Sequence, residues 1–282
     1  LKEEDSFLSV DYADRLMEPI ADVRFFGKLD YILPKFSTRE TASVRLGMSM
    51  LFNSPEFIAG TLTFSDGRAT LEMNVLDGNF KPAKTSVQPA ELSGKELSRF
   101  PGKGNLYAGI ALSEEAVKLM TNNFGSMPGM SALVDCLEGF SGSILFGLNA
   151  DQMISSGNRS GFLLQLSYRS AEEAKVAAEK FGANGIPVRT SDEYLLLDMG
   201  MMSGHIQPVA EKKLKGAVAG IVVDPAGLGY MDEMKGLDFL KLIWFDARKS
   251  GDSLTLSFSV ETTPSSVNAL TTAIEAASKY KR

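Results

Sequence analysis

The chain holds one histidine, His205, and one cysteine, Cys136, in 282 residues. Any Ser-His-Asp or Cys-His nucleophilic site would have to be built around His205. The nearest approach to a nucleophile motif is Gly139-Phe140-Ser141-Gly142-Ser143. It departs from the Gly-x-Ser-x-Gly elbow at Ser143, and its serine precedes an apolar run instead of following a strand and opening a helix. Small residues at the entry to a strand explain it more simply. A lone cysteine excludes an intramolecular disulfide and every multi-cysteine metal site.

Met199, Met201, Met202 and His205 form the most unusual local cluster. Thioethers plus one imidazole are a ligand set that suits cuprous ion. Methionine is equally an adaptable filler of irregular gaps, and 13 are spread along the chain, so the cluster reads as loop packing and no metal site is assigned. Gly94-Lys95 and Gly102-Lys103-Gly104 have the residue types of a phosphate loop without its spacing: Pro89 stands where the first glycine should, and Glu96 replaces the hydroxyl. The neighbouring carboxylates Asp192-Glu193 and Asp232-Glu233 would face apart on an extended backbone, which reads as solvation and not as an acid–base pair. Trp244, within Leu242-Ile243-Trp244-Phe245, reads as a core residue and not as a sugar platform. No catalytic, cofactor-binding or metal residue is assigned, and no cofactor is expected.

Periodicity sets out the elements that would hold these groups. Residues 1–54 read as helical, because Phe25, Phe26, Leu29, Ile32, Leu33 and Phe36 recur at three- and four-residue steps up to Pro34 and Ser37. Thr38 would cap a second helix with Val44, Leu46, Met48 and Leu51 on its buried side. The clearest hairpin is Phe57–Phe64, a Ser65-Asp66-Gly67 turn, then Arg68–Leu76. Residues 77–104, rich in glycine and proline, read as a surface connector. Ser131–Glu138 reads as a short helix, Phe140–Leu148 and Phe162–Tyr168 as strands, and Ser170 as the cap of a helix over Ala171–Phe181. Tyr194–Leu197 and Leu254–Val260 read as strands, and Pro264 as the start of a terminal helix over Ser265–Tyr280.

One stretch recurs. Asn105–Leu112, an apolar run, leads into Ser113-Glu114-Glu115, and Gly216–Val223 leads into Asp224-Pro225. Ser113 and Asp224 are good helix N-caps, and Glu114 and Pro225 suit a first helical turn. The sequence therefore predicts an α+β fold of mostly antiparallel, twisted sheets with helices packed on one face, built on a duplicated strand–helix–strand–strand–helix unit. The expected organisation is an N-terminal helical segment plus hairpin over 1–94, then a duplicated region over 95–282, with units about 99–200 and 210–282. The opening hairpin resembles the middle of a third unit.

An apolar content of 44% and a net charge of −6 without a basic stripe argue against nucleic-acid binding. No apolar run approaches the roughly 18 residues needed to cross a bilayer as a helix.

The phrase Arg99-Phe100-Pro101-Gly102-Lys103-Gly104-Asn105-Leu106-Tyr107-Ala108-Gly109-Ile110, followed by a helix and then Gly139-Phe140-Ser141-Gly142-Ser143-Ile144, resembles large uncharacterised lipoproteins of Bacteroidetes, a domain-of-unknown-function family. Gly60, Asp66 and Gly67 of the hairpin fit it too, and the similarity runs from about Phe57 onward. The resemblance implies an exported cell-envelope protein, periplasmic or outer-membrane-anchored. Its lipid anchor would lie outside this chain, since the sequence starts at Leu1 and Cys136 lies too deep to be a lipobox cysteine. The family supplies no catalytic residues to carry over. The expectation is a non-enzymatic envelope domain that binds a partner protein or surface component, or serves as a scaffold. A carrier holding an apolar ligand between sheet and helices is the alternative, and a hydrolase whose acids converge only in three dimensions is the third reading.

Overall fold

A computed structural model of the chain describes residues 20–32, 51–125, 131–150, 152, 161–200, 204–228 and 237–280. These residues form eleven strands and seven α-helices, an α+β chain whose strand pairing is antiparallel throughout. Elements are numbered in chain order. The chain folds as two compact units, 1–87 with 239–282, and 88–238. The expected division at 94/95 is thus corrected: the last strand pair and helix belong with the first hairpin, because strand partners are chosen by the sheet and not by proximity in sequence.

The first unit contains β1 (Val23–Lys28), α1 (Leu29–Ile32), β2 (Phe57–Ser65), β3 (Arg68–Leu76), β10 (Leu240–Ser250), β11 (Ser253–Thr262) and α7 (Ala269–Tyr280). Its strands lie in the order β1-β2-β3-β11-β10. The hairpin forms as its turn residues dictate: Ser65 pairs Arg68, with Gly67 at φ 64° on the corner. Register places Val23, Leu62, Leu71, Phe258 and Phe245 in one apolar row, and Arg24, Thr61, Glu72, Ser257 and Asp246 in the next row on the other face.

The helix expected across Phe25 and Phe26 is a strand. Gly60, directly opposite Phe25, carries no side chain, so the Phe25 ring lies over it; a Cβ there would come within 2.6 Å of the ring. Cross-strand packing overrides a periodicity that fits either state; the helix that follows this strand is the short Leu29–Ile32. Leu33, Pro34, Phe36, Ser37, Thr38, Val44, Leu46 and Met48 lie outside the described residues. The terminal helix starts later than Pro264 predicts. Asn268 supplies the cap, its Oδ1 accepting from Leu270 N (3.0 Å) while its Nδ2 donates to the Phe64 carbonyl (3.2 Å). Trp244 is buried, with the Arg68 guanidinium 4.7 Å from its ring centroid.

The second unit contains α2 (Gly94–Ser98), β4 (Leu106–Ala111), α3 (Glu114–Gly125), α4 (Ser131–Cys136), β5 (Phe140–Leu148), β6 (Phe162–Tyr168), α5 (Ala171–Ala183), β7 (Arg189–Ser191), β8 (Tyr194–Met199), α6 (Pro208–Leu214) and β9 (Ala219–Val223), in the sheet order β9-β4-β5-β6-β8-β7. Helices cover both faces of this sheet, not one. Leu166 and Leu195, paired across β6 and β8, pack with Val117, Cys136, Ala174, Ala177 and Phe181 of α3, α4 and α5. On the opposite face Gln165 donates through Nε2 to the Glu96 carbonyl of α2, and Gly109 gives room to the Leu92 side chain.

The expected surface connector is therefore core at its centre. Leu92, Leu97 and Phe100 are almost wholly buried, and Phe100 meets Tyr107 edge-on. Glycine and proline mark chain reversals here without placing them at the surface. Ser170 caps α5 as predicted, accepting from Glu173 N.

The recurring stretch forms two strands that pair with each other. Gly109 lies directly opposite Gly220. Ser113 Oγ accepts from Ala116 N at 3.3 Å and Asp224 Oδ1 from Ala226 N at 3.1 Å, as their cap roles predict. Beyond the caps the two copies diverge: a twelve-residue helix comes after β4, and a 3-10 turn, Pro225–Leu228, after β9. In each unit a hairpin lies beside the strand that leads into a long helix, β8 against β6 before α5 and β3 against β11 before α7.

Candidate ligand-binding clefts

The sheet of the second unit ends, at the start of β5 and the end of β6, between two clefts that share Ser141 and Arg169. Backbone geometry makes this junction. Gly139 at φ 80° and Gly142 at φ 103° bracket the entry to β5, and a Cβ at Gly142 would collide with the Leu112 carbonyl. Arg169 N donates to the Gly139 carbonyl at 3.0 Å, fixing the end of β6 to that entry.

The first cleft has a volume of about 620 Å³ between α3, α4 and the Glu138–Ser141 segment. Val117, Val134, Leu137 and Phe140 give it an apolar wall, and ion pairs rim it: Lys118–Glu114 (3.2 Å) and Lys180–Glu138 (2.8 Å). The Lys180 hydrogen bond holds the Glu138 carboxyl below its usual range. Cys136 lies buried behind this wall, its thiol pushed up by desolvation, and the Tyr168 hydroxyl donates to its carbonyl at 2.8 Å.

The second cleft, about 500 Å³, lies between α2, the β5 and β6 ends and the β7–β8 turn. Ser93 opens α2 with a complete capping box: its Oγ accepts from Glu96 N while Glu96 Oε2 accepts from Ser93 N. That cap aims Lys95 across the cleft, where Nζ meets Glu193 Oε1 at 2.6 Å. Arg99, just past the helix, reaches Asp192 Oδ2 at 2.9 Å and Glu193 Oε2 at 3.5 Å. The Lys95 hydrogen bond is the main reason the Glu193 carboxyl is held down to about 2. Burial, with the Glu193 charge beside it, pushes the Tyr194 hydroxyl up to about 12. Ser167, buried in the cleft lining, has no hydrogen-bond partner for its Oγ among the described residues.

The residues flagged by sequence fall in different places. Asp192 and Glu193 do not face apart: Asp192 adopts φ 51° in the β7–β8 turn, which breaks strand alternation and turns both carboxylates onto one guanidinium. Asp232 and Glu233 lie outside the described residues. Gly94-Lys95 opens a capped helix and cradles no phosphate-loop turn. Ser141 is exposed on β5, whereas His205 is exposed on the segment before α6 and lines neither cleft. Met199 ends β8, and Met201 and Met202 lie outside the described residues. Among the described residues no group of three or more His, Cys, Asp or Glu converges as a metal site, and no helix is long and apolar enough to cross a membrane. Sequence reasoning missed Lys95, Glu193, Ser167 and Arg169 as neighbours; only the Ser93-x-x-Glu96 box was a legible signal, and it located a helix end, not a cleft. No protein-family model matches the chain, and no curated protein or solved structure is significantly similar to it.

Proposed function

We propose that the chain is a non-enzymatic binding domain of the cell envelope that holds a small polar component in the paired clefts around Ser141 and Arg169. The observation that carries this reading is the state of the ionisable groups there. Lys95, Glu193, Arg169 and Glu138 are each engaged in an ion pair, with Glu193 drawn down to about 2 and Tyr194 up to about 12. The Glu193 carboxyl and Tyr194 hydroxyl, so displaced, are poor proton donors and acceptors at pH 7, while the fixed charges of the ion pairs suit recognition. The envelope location rests on the family resemblance, and fractionation of cells expressing the full-length gene tests it.

A thermal-shift screen against soluble envelope components (oligosaccharides, muropeptides, amino acids, short peptides) tests the binding role. The expected result is at least one compound that raises Tm, is recovered chemically unchanged, and loses its effect with Ser141→Trp, which fills the shared rim. A compound returned cleaved would replace this reading with a hydrolase.

The carrier alternative has its own support: Val223, Leu106, Leu148 and Phe162 form a half-exposed apolar row across one sheet face, next to Ile221 at 43% exposure. Lipid in an organic extract of the purified protein, identified by mass spectrometry, would favour it.

We also infer an internal duplication, supported by the Gly109–Gly220 pairing, the matched Ser113 and Asp224 caps and the matched hairpin–strand–helix arrangements. Related sequences whose two halves align better than these, with small residues at both glycine positions, would strengthen it. Relatives that lack one half's hairpin would count against it.

A further inference from the structure

We infer that the cleft beneath Lys95 binds a neutral, polyhydroxylated ligand, a saccharide unit, with the Ser167 hydroxyl as one of its contacts; this rests on the binding role proposed above. The cleft is about 500 Å³, within the range of roughly 300–1,000 Å³ usual for small-molecule sites. Four serines, two tyrosines and two glutamates are among the residues that line it, and its cations are already neutralised, Lys95 by Glu193 at 2.6 Å and Arg169 by Glu173 at 3.3 Å.

That pairing separates ligand classes. A charged ligand would have to displace a partner, leaving one charge desolvated and alone. A neutral hydroxyl displaces nothing: an ionised carboxylate has about four acceptor positions and an ammonium three donors, so Glu193 and Lys95 keep capacity beyond their mutual bond. A buried hydroxyl without a partner keeps the desolvation penalty that a hydrogen bond would offset. Ser167 Oγ, 3% exposed as a residue and unpartnered, is therefore the atom that a ligand hydroxyl would satisfy. Ser141, exposed at the rim shared with the neighbouring cleft, gives the ligand its approach.

The test is titration of the full chain, by calorimetry and saturation-transfer NMR, with glucose, galactose, mannose and N-acetylglucosamine. Acetate, phosphate and glycine serve as charged probes. At least one sugar is expected to bind, with affinity falling tenfold or more in both Ser167→Ala and Ser141→Trp, and with Tm of Ser167→Ala unchanged or higher because the orphaned hydroxyl is gone. Sugar binding that neither variant alters overturns the assignment, as does silence from all four sugars. A charged probe that binds in a Ser141→Trp-sensitive way overturns the ligand class but leaves the binding role standing. A sugar that binds as expected and is then chemically converted does the reverse.

Discussion

Lys95 and Glu193 stand 98 positions apart in sequence, yet Nζ and Oε1 are 2.6 Å apart. The pair ties the first helix of the second unit to its outermost hairpin, and Arg99 extends it to Asp192. Glu193 is the less exposed partner, with 23% of its side chain accessible against 63% for Lys95.

This pair sets an acid dependence. A carboxyl held down to about 2 in the folded state adds stability above its unfolded pKa of roughly 4.5 and loses it as pH falls through 2. Urea midpoints at pH 7 should place Glu193→Gln below the wild type by about 1 kcal/mol, the partial exposure limiting the gain. The gap should narrow below about pH 4.5 and close as pH falls through 2. An equal gap at pH 7 and pH 2 would show that the pair contributes by packing alone.

Two glycines should respond in opposite directions. Gly142→Ala places a Cβ against the Leu112 carbonyl at φ 103° and should lower stability by more than about 1 kcal/mol. Gly182→Ala, on a helical residue with nothing within 4 Å of the added carbon, should raise it by about 0.5–1 kcal/mol. Thermal melts of both variants check the pair together.

The segment before β4 is core. Leu97→Ala should cost about 2–5 kcal/mol, since the side chain is fully buried. Leu119→Ala, at a half-exposed site on α3, should change stability by no more than about 0.5 kcal/mol. Similar losses at the two sites would mean that the segment does not pack as described.

Cys136 should resist alkylation. The residue is 2% exposed and desolvation raises its thiol pKa, so little thiolate exists near neutrality. Iodoacetamide at pH 7.5 should label the folded chain far more slowly than the chain in denaturant. Comparable rates would contradict the packing of α4 against β5 and β6.

The cap at Asn268 should matter more than Pro264 for the last helix. Asn268→Ala removes an acceptor for Leu270 N and a donor to Phe64, and should cost about 1–2 kcal/mol. Chemical denaturation would show it; no change would move the helix start back toward the position read from Pro264.

What the sequence determined by itself was local. Asp66-Gly67 dictated a tight reversal, alternation in Phe162–Tyr168 a strand, and Ser170 the start of α5, because turn geometry, pleat and capping depend on residues within a few positions. The lone histidine and lone cysteine likewise narrowed the chemistry from composition alone. Tertiary structure decided the rest. Phe25 became a strand residue because Gly60 lay opposite, and Leu92, Leu97 and Phe100 were drawn inside by a sheet face that their own segment does not encode. Asp192 and Glu193 converged on Arg99 through one left-handed residue in a turn. Strand partnership and side-chain convergence are set by contacts between distant residues, whose burial outweighs local preference only once the chain has closed on itself.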